Sequence, residues 1–177
     1  EVGRNAWPDP CAACPGVAEW QDLIGSTHVQ GRAPITGNLC TASQAADRVP
    51  AMGAAGATAR VKGSNGTRDV AVEAVGTGPF KVSLAQGEVI TSIFLPARGA
   101  NGGDAYLRFI PRTEMDIAVV GAAVSLTLDG DKVASARVSL GAVAPTVLLV
   151  EGAANAIIGT SLDDAAMDKL AATASAA

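Results

Sequence analysis

The sequence predicts an α+β fold, on three observations. Residues 57–63, 68–75 and 87–96 are short runs with β character and residues 123–143 read as a longer hairpin, whereas residues 15–25 and 161–177 space their apolar side chains as helices do. The composition is 49% hydrophobic but only 3% aromatic, so the core must be built from Ala, Val, Leu and Ile, which suits tight packing of helix on sheet. At 177 residues the chain holds one ordinary domain or two small ones.

Taken in order, the first fifteen residues carry Pro8, Pro10, Cys11 and Cys14 without periodicity and predict no element. Val17, Trp20, Leu23 and Ile24 then recur at helical spacing, with Pro15 and Gly16 at the start and Gly25 at the close. "STHVQGRAPITGN" is rich in Gly, Pro and Asn and predicts a loop, with the lone His28 on its surface; "ASQAADRVPAM" starts a helix. Of the three β runs, "GEVITSIFLP" sets Val89, Thr91 and Ile93 against Ile90, Ser92 and Phe94, and Pro96 ends it. "ARGANGGD" predicts a flexible link, and a domain boundary falls within residues 81–104, giving regions 1–95 and 104–177.

Beyond the link, Val124, Leu126 and Leu128 alternate up to a turn at Asp129, Gly130 and Asp131, and the chain returns through Val133, Val138 and Leu140. The last stretch takes Ser161 as its N-cap, places Asp163 and Asp164 in the first turn, and gathers Leu162, Ala166, Met167 and Leu170 on one helical face. The chain opens on Glu1 and closes inside this Ala-rich pattern, so both ends read as cut.

Net charge is −4 and Lys and Arg form no cluster, so the electrostatic footprint of a nucleic-acid or anionic-membrane partner is missing. No apolar run reaches the ~18 residues that span a bilayer, and the N-terminal stretch lacks a basic region followed by an apolar core; a cytoplasmic protein is expected. Cys11 and Cys14 form a C-x-x-C, which reads as a redox pair, half of a metal site, or structural thiols. A zinc site needs four ligands, and Cys40 and His28 are the only other thiol and imidazole, so the structural reading is preferred and a thiol oxidoreductase is the third-ranked function.

The stretch "PITGNLCTASQAADRVPAM" carries the candidate site. A turn at Thr36, Gly37 and Asn38 exposes backbone N–H groups with no Cβ at Gly37, as an anion nest does, and Asn38 both holds a turn and donates to an oxygen. Asp47 accepts from a ligand hydroxyl or caps the helix that follows. On physics alone the ordinary turn and helix cap are the preferred reading.

"GRAPITGNLCTASQAAD", preceded by "IGSTHVQ", resembles the second flavin-binding segment of the FAD-binding medium subunits of the molybdenum hydroxylases, the family of xanthine dehydrogenase and carbon monoxide dehydrogenase. "QGEVITSIFLP", "YLRFIPRTEMDIAVVGAAVSL" and "VSLGAVAPT" resemble later segments of the same subunits in the same order, so the likeness runs over residues 16–177. The family pattern is Ser/Thr-x-Gly-Gly-Asn followed by Ala-Ser-Pro-x-x-Asp; here Pro34, Thr36 and Gln44 depart from it.

The resemblance implies the C-terminal part of a PCMH-type FAD-binding domain, followed by a small domain of antiparallel strands with helices on one face. It implies FAD as cofactor, with Thr36, Gly37 and Asn38 in the turn against it, Asp47 toward its ribityl or adenosine portion, Ile24 and Ile90 near the isoalloxazine, and Arg108 at a basic position beside the flavin. On the residues themselves Ile24 and Ile90 are preferred as core positions, and Arg108 alternates with Tyr106 and Ile110 as a solvated strand residue does. Arg112 and Asp116 pair as a structural salt bridge or shape the flavin's edge. Nothing in residues 1–15 resembles the family's Ala-Gly-Gly-Thr-Asp loop.

The implied function is electron transfer by an oxidoreductase subunit. Its partners are a large subunit holding the molybdenum cofactor and a small subunit holding [2Fe-2S] clusters, with no catalytic side chain or metal ligand in this chain. The alternative is a truncated or degenerate assembly module that docks those subunits without FAD.

Overall fold

The computed structural model describes residues 23–112 and 116–177. Most of the helix expected over 17–24, and Cys11 and Cys14, lie outside the described residues; at that helix's end Leu23 is helical and Gly25 has φ +52°, a conformation that glycine takes without strain. The architecture is α+β, with two larger antiparallel sheets, a small two-stranded one, and one helix wedged between the larger two.

The expected loop over residues 26–38 is instead largely helical. Helix α1 (Thr27–Gln30) carries the exposed His28, and α2 (Ile35–Thr41) contains Thr36, Gly37 and Asn38. Pro34 sits at the N-cap of α2 with φ −72° and ψ 149°, the Gly37 N–H donates to the Pro34 carbonyl at 3.2 Å, and Ala42 ends the helix at φ 48°. Local Gly-Asn propensity loses here to burial. Ile35 and Leu39 stand four apart on one face, and Leu39, 1% exposed, gains about 2 kcal/mol by leaving water.

Helix α3 (Arg48–Ala54) is buried throughout. Pro50 occupies its first turn, where a missing N–H costs nothing. The first sheet has the order β2–β1–β5, from β1 (Thr58–Gly63), β2 (Gly66–Ala71) and β5 (Val89–Phe94). A one-turn 3-10 helix, Val72–Ala74, and the small pair β3 (Gly76–Gly78) and β4 (Lys81–Val82) lie between. The predicted alternation of β5 fails at a bulge between Arg60 and Val61. Ala59 pairs with Ile93 and Val61 with Ile90, so both isoleucines reach the same core instead of opposite faces.

The second sheet runs β6–β7–β8–β9, with β6 (Gly102–Phe109), β7 (Val120–Asp129), β8 (Lys132–Gly141) and β9 (Leu148–Leu149). The flexible link therefore ends earlier than its composition predicts: Gly102, Gly103 and Asp104 are strand residues, and the Asp104 carboxylate pairs with Arg98 at 2.8 Å. The predicted hairpin is present, turning at Gly130 (φ +59°) and Asp131 between Asp129 and Lys132.

Helices α4 (Glu151–Ile157), which the sequence reading did not mark, and α5 (Asp164–Ser175) cover one face of this sheet through Val138, Leu140, Val150, Ala153, Leu170 and Ala174. The N-cap of α5 is Asp163, whose Oδ1 accepts from the Ala166 N–H at 2.9 Å, and not Ser161. Leu162 precedes the helix at φ 59° and Met167 is 48% exposed, so the packed face is Ala166, Leu170 and Ala174. Ala166 and Leu170 of the expected face do pack; Leu162 falls away because the helix begins after it, and Met167 gives its place to Ala174.

Helix α3 joins the two sheets. Val49 and Met52 belong to the cluster under the first sheet, with Leu39, Ala59 and Val72, while Ala51 and Ala54 pack with Tyr106 and Ala123 of the second. Small residues permit the approach: a Cβ on Gly141 would lie 2.5 Å from Pro50 Cγ. The alanine-rich core expected from composition is what lets a helix enter this narrow space.

Candidate functional site

The site is built where α2, the start of α3 and strand β6 meet. Asp47 stands at the N-cap position of α3, but its carboxylate makes no capping bond to the helix. It turns to the second sheet, where Oδ1 accepts from the Tyr106 hydroxyl at 3.1 Å and Oδ2 from Arg108 Nη1 at 2.9 Å. Tyr106 and Arg108 are two apart on β6 and so share a face of the strand. The Arg108 side chain is 5% exposed and that of Asp47 14%; the solvated strand position expected for Arg108 is wrong, because its charge is neutralised inside the fold. Burial, and then the Asp47 charge and hydrogen bond, push the Tyr106 phenol well above its ordinary range.

Arg48, next in sequence, is buried at 2% exposure and reaches back to the start of α2, with Nη1 donating to the Pro34 carbonyl and Nη2 to that of Ala33 at 3.4 Å. Burial pulls its guanidinium below the usual value, and the Asp47 charge opposes the shift. Two successive side chains thus tie α2 and the second sheet to one point of the chain.

Thr36, Gly37 and Asn38 do not form the expected nest, since all three have helical backbone. Gly37 is exposed and Asn38 half-buried, with the Asn38 Oδ1 atom buried and without a hydrogen-bond partner among the described residues. Such an atom costs ~1–3 kcal/mol unless something donates to it. Ile24 packs on the cluster of Ala51, Ala54, Tyr106 and Ala123, and Ile90 on the cluster that includes Leu39. The fold therefore brings together Asp47 and Arg108, with Ile24 on the adjoining cluster, while Ile90 lies under α2. Arg112 and Asp116 pair at 3.0 Å, as expected, with Arg112 at the surface.

Sequence reasoning missed Arg48 and the role of Tyr106. Their signal was faint: an arginine inside an apolar helical run, and a tyrosine at the same strand parity as the candidate Arg108. Among the described residues no three His, Cys, Asp or Glu side chains gather as a metal site, and no helix is long and apolar enough to cross a membrane.

Residues 6–98 match the family model described as the FAD binding domain in molybdopterin dehydrogenase, and residues 105–177 match the CO dehydrogenase flavoprotein C-terminal domain. The carbon monoxide dehydrogenase medium chain of Afipia carboxidovorans is 33% identical over 165 residues, covering 93% of this chain and 57% of the relative. A putative xanthine dehydrogenase FAD-binding subunit of Escherichia coli is 29% identical over 146 residues, covering 82% and 48%. The chain spans about half the length of these relatives.

Among solved structures, a reconstituted CO dehydrogenase from Oligotropha carboxidovorans superposes with TM-score 0.89 at 34% identity, over 95% of this chain and 59% of that one. A carbon monoxide dehydrogenase from Hydrogenophaga pseudoflava gives 0.90 at 31%, over 96% and 59%. Family models match both halves of the sequence, and the chain belongs to the family of FAD-binding subunits of the carbon monoxide and xanthine dehydrogenases.

Proposed function

We propose that this chain holds FAD within a molybdenum hydroxylase and carries electrons from iron–sulfur clusters to a final acceptor. The observation that carries the reading is Asn38 Oδ1: a buried polar atom with no partner among the described residues, beside the exposed Gly37, on a helix whose entry is pinned by Arg48. Either orientation of the amide leaves a group in want of a polar ligand. FAD, rich in hydroxyl and phosphate oxygens, fits that need.

In this reading Thr36, Gly37 and Asn38 contact the cofactor on α2. Asp47 and Arg108 form the polar wall beside it, and Ile24 and Ile90 back it with apolar surface. Bound FAD supplies the electron exchange, which no side chain of this constellation performs. The protein's part is to bind, orient and shield. Partners in the same reading are a molybdenum-containing large subunit and a [2Fe-2S] small subunit, in the cytoplasm. Residues 1–95 form the FAD-binding part and residues 104–177 the C-terminal domain.

The test is a flavin-fluorescence titration of the full-length protein carrying Asn38→Ala or, as a surface control, Asn155→Ala. Loss of a hydrogen bond to buried ligand oxygen or nitrogen raises Kd roughly 5- to 150-fold for Asn38→Ala and leaves Asn155→Ala at the wild-type value. Equal affinities in the two variants would remove Asn38 from the site. Failure of the wild-type protein to bind FAD would leave the subunit-docking alternative standing.

A further inference from the structure

We propose that Tyr106, seated over Gly121, is a positioning residue for the flavin site: its hydroxyl fixes the Asp47 carboxylate and, through the Asp47–Arg48 step, the orientation of α2. The inference rests on the function proposed above and adds two residues to it.

Tyr106 is 2% exposed, so its ring would pack as well without a hydroxyl, and a buried hydroxyl is tolerated only when bonded. Its acceptor is Asp47 Oδ1, at 3.1 Å. The path of the ring depends on its cross-strand neighbourhood. On β7, Gly121 pairs with Arg108, and a Cβ there would lie 2.6 Å from the Tyr106 hydroxyl oxygen and 3.2 and 3.3 Å from ring carbons. Any side chain at 121 would push the phenol off its acceptor. Asp47 supplies the second half of the argument, because an aspartate at an N-cap ordinarily bonds the first-turn N–H groups and this one does not. Its carboxylate is drawn to β6 from two directions, with Arg108 on the other oxygen. Arg48 follows in the chain and grips the carbonyls of Ala33 and Pro34, the latter being the N-cap of α2. A continuous path of hydrogen bonds and one peptide link runs from Tyr106 to the helix that bears Asn38.

The experiment compares Tyr106→Phe, Gly121→Ala and Val138→Ala in the full-length protein, measuring both FAD Kd and the Tm of the flavin-free form. Val138 is buried in the cluster under α4, away from Asp47, and serves as the control for lost packing alone. The expected result is a Kd raised about tenfold by Tyr106→Phe, and by Gly121→Ala where that variant folds, with Val138→Ala lowering Tm while its Kd stays within about twofold of wild type. A Tyr106→Phe protein with wild-type Kd would overturn the proposal. So would a Kd change in Val138→Ala that matches that of Tyr106→Phe. Wild-type protein that binds no FAD would overturn the function proposed above and this inference with it.

Discussion

Removing either charge of the Arg108–Asp47 pair should destabilise the fold far more than breaking a surface salt bridge. With side chains 5% and 14% exposed, the survivor of a single substitution keeps its charge and loses its main partner in a region water barely reaches. The cost of such a break is about 3–5 kcal/mol for a fully buried pair, and the residual exposure of Asp47 and its bond to Tyr106 set the expectation at the low end, about 3 kcal/mol for Arg108→Ala. For a chain of this size that is a fall in Tm of roughly 6–12 °C. In an Asp47→Ala background the same arginine substitution removes a cation that has already lost its anion. It should then cost only about 1 kcal/mol, a coupling of about 2 kcal/mol. Urea unfolding of wild type, both single variants and the double variant measures the cycle. A coupling below about 0.5 kcal/mol, the value of an exposed pair, would refute the reasoning that the pair is held inside the fold.

Two further outcomes follow from geometry. Gly141→Ala forces a methyl group to within 2.5 Å of Pro50 Cγ and should cost about 1–3 kcal/mol, whereas Gly103→Ala, with nothing within 4 Å of its added Cβ, should leave stability unchanged or slightly raised; thermal unfolding distinguishes them. The Glu88 carboxyl is held down to about 2, first by Arg68 and then by the Ala85 N–H. Its contribution to stability is therefore complete above its unfolded pKa and is lost as pH falls from there through about 2; Arg68→Ala should bring the carboxyl back toward its ordinary value in a 13C NMR titration and flatten that loss.

The elements that the sequence made legible are those whose local signals agree with their packing. The hairpin turning at Gly130 and Asp131 has alternation, a turn glycine and burial all in accord, and the β runs over 57–63 and 87–96 hold strands, whereas the run over 68–75 is strand only to Ala71 and then a 3-10 helix. Helix α2 shows the opposite case. Its Pro, Gly and Asn read as turn chemistry, and only the spacing of Ile35 and Leu39 pointed to a helix that burial would enforce. The α5 cap slipped from Ser161 to Asp163 because a serine and two aspartates within four residues all satisfy the same local rule, and Leu162 at φ 59° decides which one the chain uses. Within the site, Asp47 and Arg108 were picked out singly by resemblance. Their pairing across 61 positions of sequence, and the buried Arg48 between Asp47 and α2, depend on how α3 lies on the second sheet, which no local pattern encodes.

In the proposed function Asn38, whose Oδ1 has no partner among the described residues, faces bound FAD. The most direct measurement is the side-chain amide 15N–1H resonance of Asn38 in the full-length protein, followed as FAD is added, with Asn155 as internal reference. The Asn38 signals are expected to shift to a saturating new position as FAD binds while those of Asn155, exposed on α4, stay in place. FAD that binds without moving the Asn38 signals, or that does not bind at all, would contradict that reading.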